Sequence, residues 1–232
     1  MIFFKPKTVT LDCFTTNNSL AELFPISPMS EHIPSWWKSM KNEVPISSFP
    51  IGMGTIKRCP GFTGLFKKGI CIPAWSEYRL YQDPIHGFSH IGPNSMADGN
   101  QHQETQYAFE NYQHFKLISP WLIKEKTGVN FAMVQASWHD NSPCDIHVPT
   151  GMLEFKYQHS THINLLAPKH ESLKEYSISA GQPLAYLIPM TEKNVKVKVH
   201  VVSNEEWGKM RTYHHSFHSS YETTKKILKE KK

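Results

Sequence analysis

The chain has 232 residues, and 39% of them are apolar or aromatic, including 13 Phe, 9 Tyr and 6 Trp. That length suits one large β domain, and the apolar content is enough for a sizeable core, which excludes general disorder. The net charge of +5 sits mostly in the last eight residues, which hold five Lys and one Glu, so the other 224 sum to +1. A basic tail of this kind reads as a solvated helix end, and nucleic acid is not an expected partner.

No apolar run approaches the roughly 20 residues that span a bilayer. Pro6 breaks the opening Met1–Lys7 segment, and no small-residue cleavage site follows it. Neither a membrane partner nor a secretory signal is therefore expected. Cys13, Cys59, Cys71 and Cys144 are widely spaced with no Cys-x-x-Cys pair, so reduced, buried thiols are expected in place of a zinc ribbon or disulfide framework.

In chain order, residues 1–30 read as a short strand and then polar, proline-punctuated loop. Pro34 then opens a short helix near 34–42, with Trp36, Trp37 and Met40 at helical spacing. Residues 43–54 hold two Pro and two Gly and read as loop. Cys59-Pro60-Gly61 reads as a turn or helix start, Phe62–Phe66 as one apolar helical turn, and Ile70–Ile72 and Tyr78–Tyr81 as strands. Residues 82–100 read as a long loop.

Further strands are expected at Phe115–Ile118, Val129–Ser137, Gly151–Tyr157, Thr161–Leu166, Tyr176–Ser179, Leu184–Ile188 and Val195–Val201. Apolar residues flanking Gly181 suggest two strands that each bury one face. Val195, Val197, Val199 and Val201 alternate with Lys196, Lys198 and His200, so one face is wet. Ser203-Asn-Glu-Glu206 has the form of a capping box, after which Trp207, Met210, Tyr213 or His214, Phe217 and Tyr221 recur at helical spacing. The expected fold is mainly β: an antiparallel jelly roll, sandwich or barrel with a short N-terminal helix and a C-terminal helix. Residues 1–202 form a single β-rich domain, and 203–232 form a helix and basic tail packed on it.

Four segments carry a family likeness: Ile33-Pro34-Ser-Trp36, Cys59-Pro-Gly-Phe62 leading to Gly69-Ile-Cys-Ile-Pro73, Lys116 to Pro120-Trp121, and Ala180-Gly-Gln-Pro-Leu-Ala-Tyr-Leu-Ile-Pro189. Over residues 33–190 the chain resembles a family of uncharacterised proteins encoded by tailed phages of marine bacteria, with distant bacterial relatives. The resemblance implies a β-rich fold and a viral setting, in the host cytoplasm or the virion. It supplies no reaction. The reading it favours is an accessory or virion-associated protein that acts by binding or assembly, with itself as a homo-oligomer or with other phage proteins.

The rival reading is a cupin-like metal-dependent enzyme of the iron oxygenase type, holding iron or another divalent metal with two His and one carboxylate. His102-Gln-Glu104 supplies the local motif, and His162, with His159 or His200 as alternatives, supplies the distal ligand. For 14 His and 20 acids in 232 residues, chance alone supplies roughly one such match. Residues 138–147 gather Trp138, His139, Asp140, Cys144, Asp145 and His147, enough types for a Cys/His nucleophile or a metal, although Asp-Asn-Ser-Pro is ordinary turn chemistry. His214 and His218 lie four apart on the C-terminal helix without a following Glu. A third reading is a small-molecule or carbohydrate binder that stacks its ligand on Trp75, Trp121 or Trp138, with His139 beside it. Phosphate-loop, dinucleotide and hydrolase-elbow motifs are absent from the sequence.

Overall fold

The computed structural model describes residues 8–46, 49–85, 87–91, 111–139, 145–157, 160–215 and 226. The first half contains strands β1 (Thr8–Thr15), β2 (Ser27–Pro28), β3 (Glu43–Ile46), β4 (Phe49–Gly54), β5 (Ile70–Pro73), β6 (Tyr78–Asp83) and β7 (Gly87–Ile91). Helices α1 (Asn18–Leu23), α2 (Ser35–Ser39) and α3 (Pro60–Lys68) lie between them. The second half adds β8 (Tyr112–Leu117), β9 (Leu122–Lys124), β10 (Phe131–Gln135), β11 (Gly151–Leu153), β12 (Ile163–Pro168), β13 (Lys174–Ile178), β14 (Pro183–Pro189), β15 (Asn194–Val201) and the C-terminal helix α4 (Asn204–His215).

The fold is mainly β, as expected. Its described strands form open sheets ordered β15-β1-β9, β11-β10-β14-β5-β2, β12-β8, β13-β6-β7 and β3-β4, and none closes into a barrel. All pairings among the described strands are antiparallel except one: β1 runs parallel to β15, from Thr8 opposite Asn194 to Thr15 opposite Val201. A single core joins most of these sheets, with Leu11, Ile72, Leu80, Leu117, Ile123, Phe131 and Phe155 almost wholly buried. Burying each such side chain stabilises the fold by roughly 1.5–3 kcal/mol.

Strand β14 explains why its sequence is almost continuously apolar. It is the middle strand of the five-stranded sheet, and alternating side chains enter two different clusters. Ala185 and Leu187 face the main core, as do Ile70 and Ile72 of β5 and Met133 of β10. Tyr186, Cys71 and Val134 face the other way, under α2 and α3. The expectation that the strands beside Gly181 each bury one face is therefore corrected for β14. Those strands also do not pair with each other: β13 joins β6, while β14 joins β5 and β10. Gly181, at φ +79°, turns the chain from one sheet to the next, and a Cβ there would stand 2.9 Å from the Phe24 ring.

Several local readings change. Residues 18–23 are helical where loop was expected, because the Asn17 side chain accepts the Leu20 N–H at 3.0 Å and caps the first turn. Within the segment expected as loop, Glu43–Ile46 and Phe49–Gly54 pair as the β3–β4 hairpin, in which a register irregularity between Val44 and Ile46 accommodates Pro45, which has no N–H to contribute. The segment expected as loop after residue 82 contains β7, paired with β6 from Asp83 opposite Gly87 to Arg79 opposite Ile91. Helix α3 runs nine residues where a single turn was expected, and the strand beginning at Gly151 stops at Leu153.

Other readings hold. Helix α2 lies within 34–42 and buries Trp37. The capping box is present: Ser203 N–H donates to Glu206 Oε2 at 3.1 Å, and Glu206 N–H donates to Ser203 Oγ at 3.2 Å. On the edge strand β15, Val195, Val197 and Val199 are half-buried against the core while Lys196 and Lys198 are exposed. Val201 departs from that face and is exposed.

Glu125 is a buried acid that no periodic pattern signals. Its carboxylate accepts N–H bonds from Thr127 at 2.6 Å, Gly128 at 2.6 Å and Val129 at 3.0 Å, and it also accepts the Thr127 hydroxyl. These bonds fix the turn between β9 and β10, where Gly128 takes φ +84°.

Candidate functional site

On the outer face of the five-stranded sheet, α2 and α3 close over a cluster of aromatic rings. Pro34 precedes α2, which presents Trp36 and Trp37, and Pro60 starts α3, which presents Phe62 and Phe66. Trp138 follows β10 and meets all four. Its ring stacks on Trp36 at 6.0 Å and 24° and meets Phe62 edge-on at 4.7 Å, Trp37 at 5.7 Å and Phe66 at 6.3 Å. Trp36 Nε1 donates to the Trp138 carbonyl at 3.0 Å, which fixes the two indoles relative to each other. Trp37 and Phe66 are buried, while Trp36, Phe62 and Trp138 are half-exposed.

A polar chain runs beneath these rings. His139 Nε2 lies 2.6 Å from the His32 carbonyl, and Nδ1 lies 2.6 Å from the Tyr186 hydroxyl. A carbonyl can only accept, so Nε2 carries a proton, and Nδ1 is paired with the Tyr186 hydroxyl. Burial raises the Tyr186 phenol well above its ordinary pKa, helped by the charge Cys71 would bear and opposed by the backbone hydrogen bond from Trp138. Burial likewise raises the Cys71 thiol out of the reactive range. His32 Nε2 lies 2.7 Å from Ser27 Oγ, and His32 is held below the usual histidine pKa by burial first and by His139 second, against the opposing pull of Glu31. Neutral His32 can therefore accept the Ser27 proton. Among the described residues, however, no carboxylate orients its ring in the manner of a catalytic triad.

The expected site residues divide among several places. Trp138 and His139 belong to this cluster. Trp121 is fully buried in the main core, with its ring N–H unpartnered among the described residues, so core side chains and not solvent surround it. Trp75 is half-exposed and meets Tyr78 edge-on at 6.3 Å. His162 precedes β12 and its Nδ1 accepts the Ser119 N–H at 3.3 Å. His200 lies 2.8 Å from Asp12 and stacks on Phe14 at 4.8 Å. His102, Glu104, Asp140, Cys144, His159 and His218 lie outside the described residues, as does the side chain of His214. Among the described residues, no three of His, Cys, Asp and Glu gather where they could share a metal ion.

The sequence reading did not name Ser27, His32, Cys71 or Tyr186 as a group. His139 is 107 positions from its His32 acceptor and 47 from Tyr186, so no local spacing links them. No protein-family model, curated protein or solved structure matches the chain.

Proposed function

We propose that the protein is a phage-encoded accessory or virion-associated protein that acts by binding or assembly, in the host cytoplasm or the virion, with the Trp36–Phe62–Trp138 face as its contact surface. The observation that carries this reading is the way the cluster spends its polar groups. Both His139 nitrogens are held by internal partners, Tyr186 and Cys71 are kept protonated by burial, and the part that reaches solvent is aromatic. Such a cluster fixes a rigid aromatic surface and has little freedom to exchange protons with a substrate. Three of the four segments that carry the phage resemblance contribute to it, through Ile33 and Trp36, through Phe62 and Cys71, and through Tyr186.

Light scattering tests the proposal. A defined homo-oligomer is expected, reduced to monomer by Trp36→Gln with Phe62→Ser, while cooperative unfolding persists. A monomer at every concentration that also fails to co-purify with virions overturns it. Near-stoichiometric iron, zinc or manganese that is lost on His102→Ala replaces it with the metal-enzyme reading.

A further inference from the structure

The β3–β4 hairpin forms its own sheet only two strands wide among the described strands, an arrangement that is marginal in water without further packing. It nevertheless presents apolar side chains outward. Val44 and Met53 stand directly opposite each other in the register and are 42% and 59% exposed; Ile56, just past the hairpin, is 38% exposed.

The base of the hairpin is basic. Residues 38–58 hold Lys38, Lys41, Lys57 and Arg58 against the single acid Glu43, a net +3. Outside this segment and the last eight residues, the remaining 203 residues net −2, so the positive charge is concentrated. Hydrogen bonds draw these cations together. Lys57 Nζ donates to the carbonyls of Lys38 and Met40, both at 3.0 Å, and Thr55 Oγ1 donates to the Lys41 carbonyl at 2.7 Å. Arg58 pairs with Glu43. Lys38 and Lys41 are exposed, and no acid in this segment is left to offset them.

We infer that this hairpin is an interfacial anchor for an anionic lipid surface. Val44, Met53 and Ile56 enter the boundary between headgroups and acyl chains, and the Lys/Arg collar meets the lipid phosphates and carboxylates. The charge favours this occupant over a second copy of the chain, whose body outside the two basic segments is only weakly acidic. Strand addition is disfavoured as well, since Pro45 and Pro50 remove backbone donors from both hairpin strands. No spanning segment is needed for such contact, so the inference departs from the expectation that membranes are not partners. The site adjoins the Trp36–Phe62–Trp138 face through Lys38 of α2 but does not depend on the role proposed for that face.

The test is flotation of the full chain with vesicles of 30% phosphatidylserine in phosphatidylcholine and with vesicles of phosphatidylcholine alone. Binding to the anionic vesicles is expected, falling at least tenfold when NaCl is raised from 0.1 to 0.5 M. Each Lys lost near the surface is worth about fivefold in affinity. Lys38→Glu with Lys41→Glu should therefore abolish binding, and Val44→Ser with Met53→Ser should weaken it at least tenfold at unchanged thermal stability. Replacing Lys229, Lys231 and Lys232 by Ser should leave it intact. No binding, equal binding to neutral vesicles, or binding lost only with the tail variant overturns the inference. A hairpin variant that converts an oligomer to monomer overturns it too, because a second copy is then the occupant.

Discussion

The aromatic cluster under α2 and α3 and the β3–β4 hairpin share a stretch of chain, with Met40 to Glu43 leading from one to the other, yet they treat their side chains in opposite ways. In the cluster every ring has a ring neighbour, and His139 is held at both nitrogens. In the hairpin, Val44 and Met53 face each other across two strands and remain exposed. The difference is one of layers. A strand in mid-sheet has two faces to bury, and β14 buries both, whereas the two-stranded hairpin leaves apolar side chains exposed. Stability should therefore reside in the cluster, and the hairpin should be nearly neutral to substitution.

The contrast is broken most severely at Trp37. It is 5% exposed and packs on Phe66 at 4.8 Å, so Trp37→Ala should cost about 3–5 kcal/mol. Urea unfolding that loses less than about 1 kcal/mol would show that α2 is peripheral. Glu125→Ala comes next. It removes the acceptor of four donors, at about 1.5–3 kcal/mol for hydrogen bonds to a charged group, and should speed amide exchange at Gly128 and Val129. Tyr186→Phe keeps the ring and removes only the hydroxyl that pairs with His139 Nδ1. A loss of about 1–3 kcal/mol is expected, and His139→Ala in the Tyr186→Phe background should cost less than in the wild type.

The two regions also differ in how far the sequence announces them. Val195 to Val199 alternate visibly, and the Ser203–Glu206 capping box is written in four consecutive residues, so both are legible from local pattern alone. Trp138 and His139 stood out by residue type. Their partners did not, because Tyr186 and His32 arrive from distant segments through sheet pairing. The parallel match of β1 to β15 joins residues nearly the whole chain apart, and nothing in either strand specifies its partner. The hairpin was hidden for a different reason. Two Pro and two Gly in 43–54 are turn chemistry by local rules, and a two-stranded ladder with an irregular register tolerates them where a central strand would not. Its charge was hidden by averaging, since a count taken segment by segment isolates 38–58 while a count over the body cancels it.

A smaller effect separates the regions by pH. The folded His32 pKa lies below the unfolded value of 6.5, mainly through burial. The unfolded chain therefore binds the proton more readily, and the stability His32 contributes is complete above that value and lost as pH falls through the folded pKa. Urea midpoints taken between pH 7.5 and 4.5 should decline through this window, and His32→Gln should flatten the decline. His139 and Glu31 are the charged or titratable groups that act on His32 and remain in that variant. A decline of equal size in His32→Gln would assign the effect to His139 or to the carboxylates.

The smallest effect is expected at the hairpin itself. Val44 and Met53 are too exposed to contribute much to folding, so replacing both by Ser should move the urea midpoint by no more than about 0.5 kcal/mol equivalent. Trp37→Ala and the hairpin double variant then form a matched pair: one removes an aromatic ring that is almost wholly covered, the other removes side chains that the described structure leaves 42% and 59% exposed. If the hairpin variant destabilised the isolated monomer as much as Trp37→Ala, Val44 and Met53 would be packing against the chain's own body, and the surface read as an anchor would be part of the core. A neutral result leaves those side chains free to serve a partner, and the lipid experiment then decides which one.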